Sequence, residues 1–454
     1  MPGLSATDSE LLAPLFTTEA MRAVFSDRAR LQSMLDFEAA LARVQARLGI
    51  IPAQAALAIE AKCRADLYDL AALGEAAVYA GVPTIPLVKA LTAKVARPHA
   101  GYVHWGATSQ DMFDTGFVLQ MRRGFDLIEA DLDRLGAIVA DLADRHRATL
   151  MAGRTWLQHA SPTTFGAKLA ASLDALCRHR DRLGEARARS LVLSLSGAAG
   201  TLASLGDQAR PVAKALACEL DLSLPATAWH TARDRAAEAG AVLGMMAGTA
   251  GKLALDMALL MQTEIGEAFE GGGPGKGGSS TMPQKRNPAI SVAVIAAALQ
   301  AHVLVPALFQ SMLAEHERPI GAWHAEWSAL PQLFALTSGA LAGAARLLEG
   351  LQVDAGRMRA NLDATGGQIM AEALMMALAP HLGRDEAHAR VAALCRAAGA
   401  SGRHLADIAA EDTGIAEAVD LTRVLDPANY VGIAELQVDR ALSAWRREKT
   451  QSQP

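Results

Sequence analysis

The sequence predicts an all-α protein organised around a long helix bundle. Apolar residues recur at helical spacing over stretches of twenty residues and more. Hydrophobic residues make up 51% of the chain but aromatic ones only 4%, so alanine and leucine dominate, which favours close helix packing. No segment keeps the two-residue alternation, bounded by turn signals, that a sheet would need.

The elements follow in order. In "DRARLQSMLDFEAALARVQARLGI", Leu31, Met34, Leu35, Leu41, Val44 and Leu48 fall on one helical face, with Asp27 as the expected N-cap and Gly49 as the stop. A Gly- and aromatic-rich break, "ARPHAGYVHWGATSQD", precedes a second long helix expected from about Phe113 to Leu150. A break at "MAGRTWLQHASPTTFG" leads to a third, and a break at "SLSGAAGTLASLG" comes before a very long helix expected over Arg235 to Phe269. Shorter, more polar helices follow Gly350. The domain division expected from this is 1–110, 111–350 and 351–454.

Between Arg286 and Glu315 there is no Lys, Arg, Asp or Glu, a stretch long enough to cross a bilayer. Gln300, His302, Pro306 and Gln310 interrupt it and no aromatic belt flanks it, so a buried bundle helix is the expectation. The formal net charge of −5 offers nothing to nucleic acid or an anionic membrane. Cys63, Cys177, Cys218 and Cys395 are too scattered for a zinc site or a disulfide frame, and no export signal opens the chain; a cytoplasmic location is expected.

The last break, Gly271 to Pro288, reads "GGGPGKGGSSTMPQKRNP". A phosphate-binding loop would need Gly where Glu270 stands and Ser or Thr where Gly277 stands, so that reading fails. A plain linker accounts for the glycines but not for the ordered hydroxyls, cations and prolines of "SSTMPQKRNP". That segment resembles the signature loop of the fumarase/aspartase superfamily, which closes over the active site. "HWGATSQDMFDT" and "GRTWLQHASPTTFG" resemble the superfamily's two other conserved regions, in the same order, and the resemblance covers essentially the whole chain. It implies a long central helix bundle flanked by two smaller helical domains. It further implies a homotetramer whose sites draw on three subunits, with no cofactor and no metal.

The chemistry so implied is proton removal or addition alpha to a carboxylate, coupled to a group leaving or joining at the beta carbon. The intermediate gathers a second negative charge, which fixed cations and N–H dipoles must meet. Lys285 supplies a cation and Asn287 a donor, and Pro288 opens a helix whose N-terminal dipole would help. Ser279 is the proton-transfer group the motif implies, with Ser280 as the alternative hydroxyl. Thr108 and Ser109 would bind a substrate carboxylate, and His104 stands where some relatives carry a functional histidine. Asp111 and Asp114 are expected to cap the helix that follows. Arg318 of "EHERP" suits a two-pronged carboxylate clamp, and Arg233 of "WHTARDR" is a further cation. Thr155 and Gln158 add hydrogen bonds. His316, Glu317, His324 and Glu326 suggest a metal set only at first sight, since helical neighbours face apart.

One departure narrows the reading. Superfamily lyases that release fumarate typically carry His after Gly-Arg-Thr, whereas this chain carries Trp156, and a different histidine, His159, follows as a candidate catalytic residue. An indole relays no proton but can pack on a flat conjugated substrate. This resembles the superfamily's cycloisomerase branch, which closes a lactone within a small conjugated tricarboxylate. The alternatives are a C–N lyase of adenylosuccinate or argininosuccinate type and a catalytically silent scaffold.

Overall fold

The computed structural model describes residues 5–271, 277–278 and 281–447. Helix α1, Asp27–Arg47, is capped by Ser26, whose hydroxyl accepts the Ala29 N–H, so the cap lies one residue before the expected Asp27. Gly49 ends it with φ +72°. Helix α2, Ser109–Arg145, begins four residues earlier than periodicity suggests. The reason is Asp111, whose carboxylate accepts the N–H of Thr108 and closes half of a capping box.

The second break is an antiparallel hairpin of β1, Leu150–Thr155, and β2, Gln158–Thr164. A bulge at Gly153 hides its alternation; a Cβ there would sit 2.7 Å from the Ser161 carbonyl oxygen. The two-residue turn is Trp156-Leu157, both left-handed, with φ of +54° and +64°. Such turns normally demand glycine or asparagine.

Helix α3, Phe165–Ser190, follows. Helix α4, Asp234–Leu260, ends well before Phe269. Gln262 O takes the Gly266 N–H, and Gly266 turns the chain at φ +62° into β3, Ala268–Phe269. The glycines of α4 are not merely tolerated. Added Cβ atoms at Gly240, Gly244 and Gly248 would strike Leu308, Val305 and His302 at 2.1, 2.7 and 2.9 Å. They form a groove for helix α5, Ala289–Gln310, which is the uncharged segment.

The chain then continues through α6, Ala322–Glu349, and β4, Gln352–Val353, which pairs with β3. Helix α7, Ala371–Leu382, packs on α8, Arg384–Ser401, around Leu374, Leu378, Ala387 and Val391. The long helices make this an all-α fold, with one small hairpin, β1–β2, and one short long-range strand pair, β3–β4.

Two compact units emerge, each assembled from three stretches of chain. One comprises Met1–Leu132, His179–Gly251 and Ala293–Ala342; its core holds Leu31, Leu35, Phe37, Leu41, Met112 and Trp323. The other comprises Asp133–Arg178, Lys252–Val292 and Gly343–Pro454. The complete burial expected of the uncharged helix is not met within one chain. Ala297, Ala301 and Leu308 are covered, but Val292, Leu299 and Val303 are 60%, 62% and 76% exposed.

Candidate active site

In the first unit, the break before α2 places Thr108 at the helix start. Its hydroxyl accepts a 3.1 Å hydrogen bond from Arg318, which also donates to the Ala198 carbonyl at 3.3 Å. Ser109 opens the helix beside it. Arg318 lies in residues 311–321, which run between helices and not on one, with His316 at φ +52°. The helical argument against a metal set at His316 and Glu317 therefore does not apply. Glu326 instead pairs with Arg233, and the ring of His324 bonds the Gly81 carbonyl oxygen.

His104 is held by Glu38. Oε2 of Glu38 accepts the backbone N–H of His104 at 3.1 Å, and Oε1 lies 2.5 Å from its Nδ1. Burial opposes charge on this ring, yet the Glu38 and Asp111 carboxylates outweigh it and raise the pKa above the usual histidine value.

Asp111 is fully buried and does more than cap. It also accepts the amides of Ser196 and Gly197 and faces His230 Nε2 at 2.8 Å, which fixes the loop that presents Ala198. Asp114 is no cap at all. Arg233, 3% exposed, donates to Asp114 and Glu326, and Trp323 Nε1 adds a 2.8 Å bond to Asp114. The two carboxylates outweigh burial and keep the Arg233 guanidinium protonated. The expectation that Arg233 clamps substrate is thus corrected: both faces of its fork are committed inside the protein.

In the second unit the hairpin tip carries Thr155, Trp156 and Gln158, all exposed, with Trp156 97% so. His159 pairs across the strands with Arg154. Burial, then the positive charge of Arg154, lowers its pKa and leaves a neutral imidazole at neutral pH. The signature loop is pinned at both stems. Glu270 accepts the amides of Ile290 and Ser291 at 3.0 and 2.8 Å, so the α5 N-terminus is already occupied and does not await a substrate anion, as was expected of it. Arg286 donates to the Glu270 carbonyl and to Gln352, and lies over the Phe269 ring at 4.7 Å. The Asn287 amide closes on the Gly277 carbonyl at 2.8 Å. Lys285 is exposed, and its ammonium has no partner among the described residues. Ser279 and Ser280 lie outside the described residues.

A Thr–Arg pair at a helix start, a histidine held by a buried carboxylate and an exposed lysine beside a pinned loop stem, each on a helical frame, match an enzyme of the fumarase/aspartase type. The chain belongs to that lyase family: the model described as "Lyase" matches residues 16–302, and "Adenylosuccinate lyase C-terminus" matches 367–441. The 3-carboxy-cis,cis-muconate cycloisomerase of Pseudomonas aeruginosa is 55% identical, over 96% of this chain and 96% of that protein. The 3-carboxy-cis,cis-muconate cycloisomerase of Bradyrhizobium diazoefficiens is 48% identical over 98% of this chain and 100% of that protein. The crystal structure of the 3-carboxy-cis,cis-muconate lactonizing enzyme from Pseudomonas putida superposes with a TM-score of 0.91 at 50% identity, covering 95% and 98% of the two chains.

Sequence reasoning overlooked Glu38, Arg154, Glu267 and Glu270. A signal existed for Glu38, which interrupts the apolar stripe of α1 seven residues after Leu31 and is 1% exposed.

Proposed function

We propose that this enzyme is a cycloisomerase that closes 3-carboxy-cis,cis-muconate to a carboxymuconolactone, the ring-closing step of protocatechuate breakdown through the β-ketoadipate route. The observation that carries this reading is near-full-length identity of about half with proteins of that name. Trp156 supports it, because a fumarate-releasing mechanism that relays a proton through histidine at that position is closed to this chain.

In the reaction, one carboxylate oxygen adds to an alkene carbon of the same molecule. The displaced π electrons pass into a neighbouring carboxylate, and a proton then arrives at the adjacent carbon, so no atom is lost. Tethering removes most of the entropic cost of the encounter. Arg318 and Thr108, with Ser109, hold one carboxylate. Lys285 faces the developing dianion, with Asn287 as a donor. Ser279, or Ser280, transfers the proton, and Trp156 packs on the conjugated plane. Thr155 and Gln158 add donors, and neutral His159 serves as an acceptor. No cofactor is required.

The protein acts as a homotetramer in which each site collects the three regions from different subunits. The exposed stripe of α5 and the fully exposed hairpin tip support this assembly. Four free cysteines fit a cytoplasmic location. Purified protein should abolish the absorbance of 3-carboxymuconate without releasing fumarate from adenylosuccinate. The opposite pattern would assign it to the C–N lyases.

A further inference from the structure

Glu38 is a carboxylate in an apolar setting, on the α1 stripe between Leu35 and Leu41 with 1% exposure. Buried carboxylates survive only where they are paired and hydrogen-bonded. Both oxygens of Glu38 go to one residue. Oε2 takes the His104 amide at 3.1 Å and holds that backbone at φ +57°, a conformation that side-chain residues avoid. Oε1 meets Nδ1 at 2.5 Å, which makes Nδ1 the protonated nitrogen. Nε2 remains, with no partner among the described residues, on a side chain 15% exposed and four residues before Thr108.

We infer that Glu38 is a positioning residue for the site: it sets His104 as an imidazolium whose Nε2–H binds a carboxylate of the substrate. This rests on the tricarboxylate reading above and adds a third cationic donor to Lys285 and Arg318, one for each carboxylate. A buried glutamate is a better anchor here than a surface one, because its charge is unscreened and the geometry of the ring is fixed twice. The charged groups acting on His104 are Glu38 from α1 and Asp111 from α2, and both favour the imidazolium against the cost of burial. Binding through the ring is therefore present below the raised pKa and lost as pH rises through it. Without Glu38, burial prevails and the loss moves to lower pH.

The test uses the full chain in its native assembly and tricarballylate, a non-reacting tricarboxylate, titrated by calorimetry from about pH 6 to 9. A His104→Gln variant carries the ionisation of the probe itself. The ratio of wild-type to His104→Gln affinity should be constant below a break that lies above the ordinary histidine value of about 6.5, and fall by up to roughly tenfold per pH unit beyond it. In Glu38→Gln the break should move to lower pH, so affinity above the new break drops by up to roughly tenfold per pH unit of displacement and recovers as the pH is lowered. In the His104→Gln background, Glu38→Gln should have no further effect. A ratio without a break, or a Glu38→Gln loss that is the same at every pH or persists without His104, overturns the inference. Should Glu38→Gln not fold, the break in the wild-type ratio still decides. Turnover of 3-carboxymuconate is measured separately: a break without turnover would sink the proposed reaction and leave this assignment standing.

Discussion

Arg154 grips Glu267 with two parallel hydrogen bonds, Nη1 to Oε2 at 2.9 Å and Nη2 to Oε1 at 2.6 Å. Glu267 is fully buried and also accepts a 2.7 Å bond from Asn361. The arginine that opens "RTWLQH" is therefore a brace for the hairpin and not a substrate ligand. Arg154→Ala should cost about 3–5 kcal/mol, because a buried carboxylate is left uncompensated. Arg154→Lys keeps the charge but loses the fork. It should fold, and its kcat should fall about 10- to 100-fold as the tip carrying Thr155 and Gln158 shifts. Denaturant melts and steady-state kinetics on the two variants separate the effects.

Arg233 makes a similar case in the first unit. Its removal strands Asp114 and Glu326, both 1% exposed. Arg233→Ala is expected to lose about 3–5 kcal/mol of stability. A variant with unchanged stability and a raised KM alone would return Arg233 to the substrate-binding set.

These two pairs mark what the sequence could and could not reveal. The long helices were legible because their stripes are periodic and their caps local. The loop was legible because its residue order is rare. The hairpin was not, since the bulge at Gly153 breaks the alternation and Trp156-Leu157 is the opposite of a turn signal. Glu267, Glu270 and Arg233 find their partners over long sequence separations, and no local rule predicts which charge a fold will bury. Glu38 alone advertised itself, as an acid in an apolar stripe.

The turn at Trp156-Leu157 stores strain in two left-handed residues. Replacing the pair with Asn-Gly should stabilise the protein by about 1–2 kcal/mol, as the strain is relieved. Turnover should fall sharply at the same time, because the exposed indole has no structural partner among the described residues. A stabilised variant with full activity would remove Trp156 from the site.

Among the described residues, Lys285 is tied to its loop through the backbone alone, its N–H reaching the Met282 carbonyl at 3.0 Å. Lys285→Ala should therefore leave the melting temperature unchanged while kcat drops about 10²- to 10³-fold, the scale of losing one preorganised donor to a developing anion. Ser279→Ala should lower kcat as well. If Ser280→Ala is the more damaging of the two, the roles of the adjacent hydroxyls exchange.

The exposed stripe of α5 gives the clearest test of assembly. Val292, Leu299 and Val303 recur at seven- and four-residue spacing, so they share one face of the helix, and the opposite face fills the glycine groove of α4. A helix with no charge between Arg286 and Glu315 gains nothing from water on that stripe. Covering three such side chains is worth about 1.5–3 kcal/mol each. Val303→Glu places a charge where subunits would meet and is too exposed to disturb the protomer core. Sedimentation should show the wild type as a tetramer and Val303→Glu as a smaller species with native helical content. On the proposed shared site, the variant's turnover should fall with assembly and return at high protein concentration. A monomeric variant that keeps full kcat would refute the shared site.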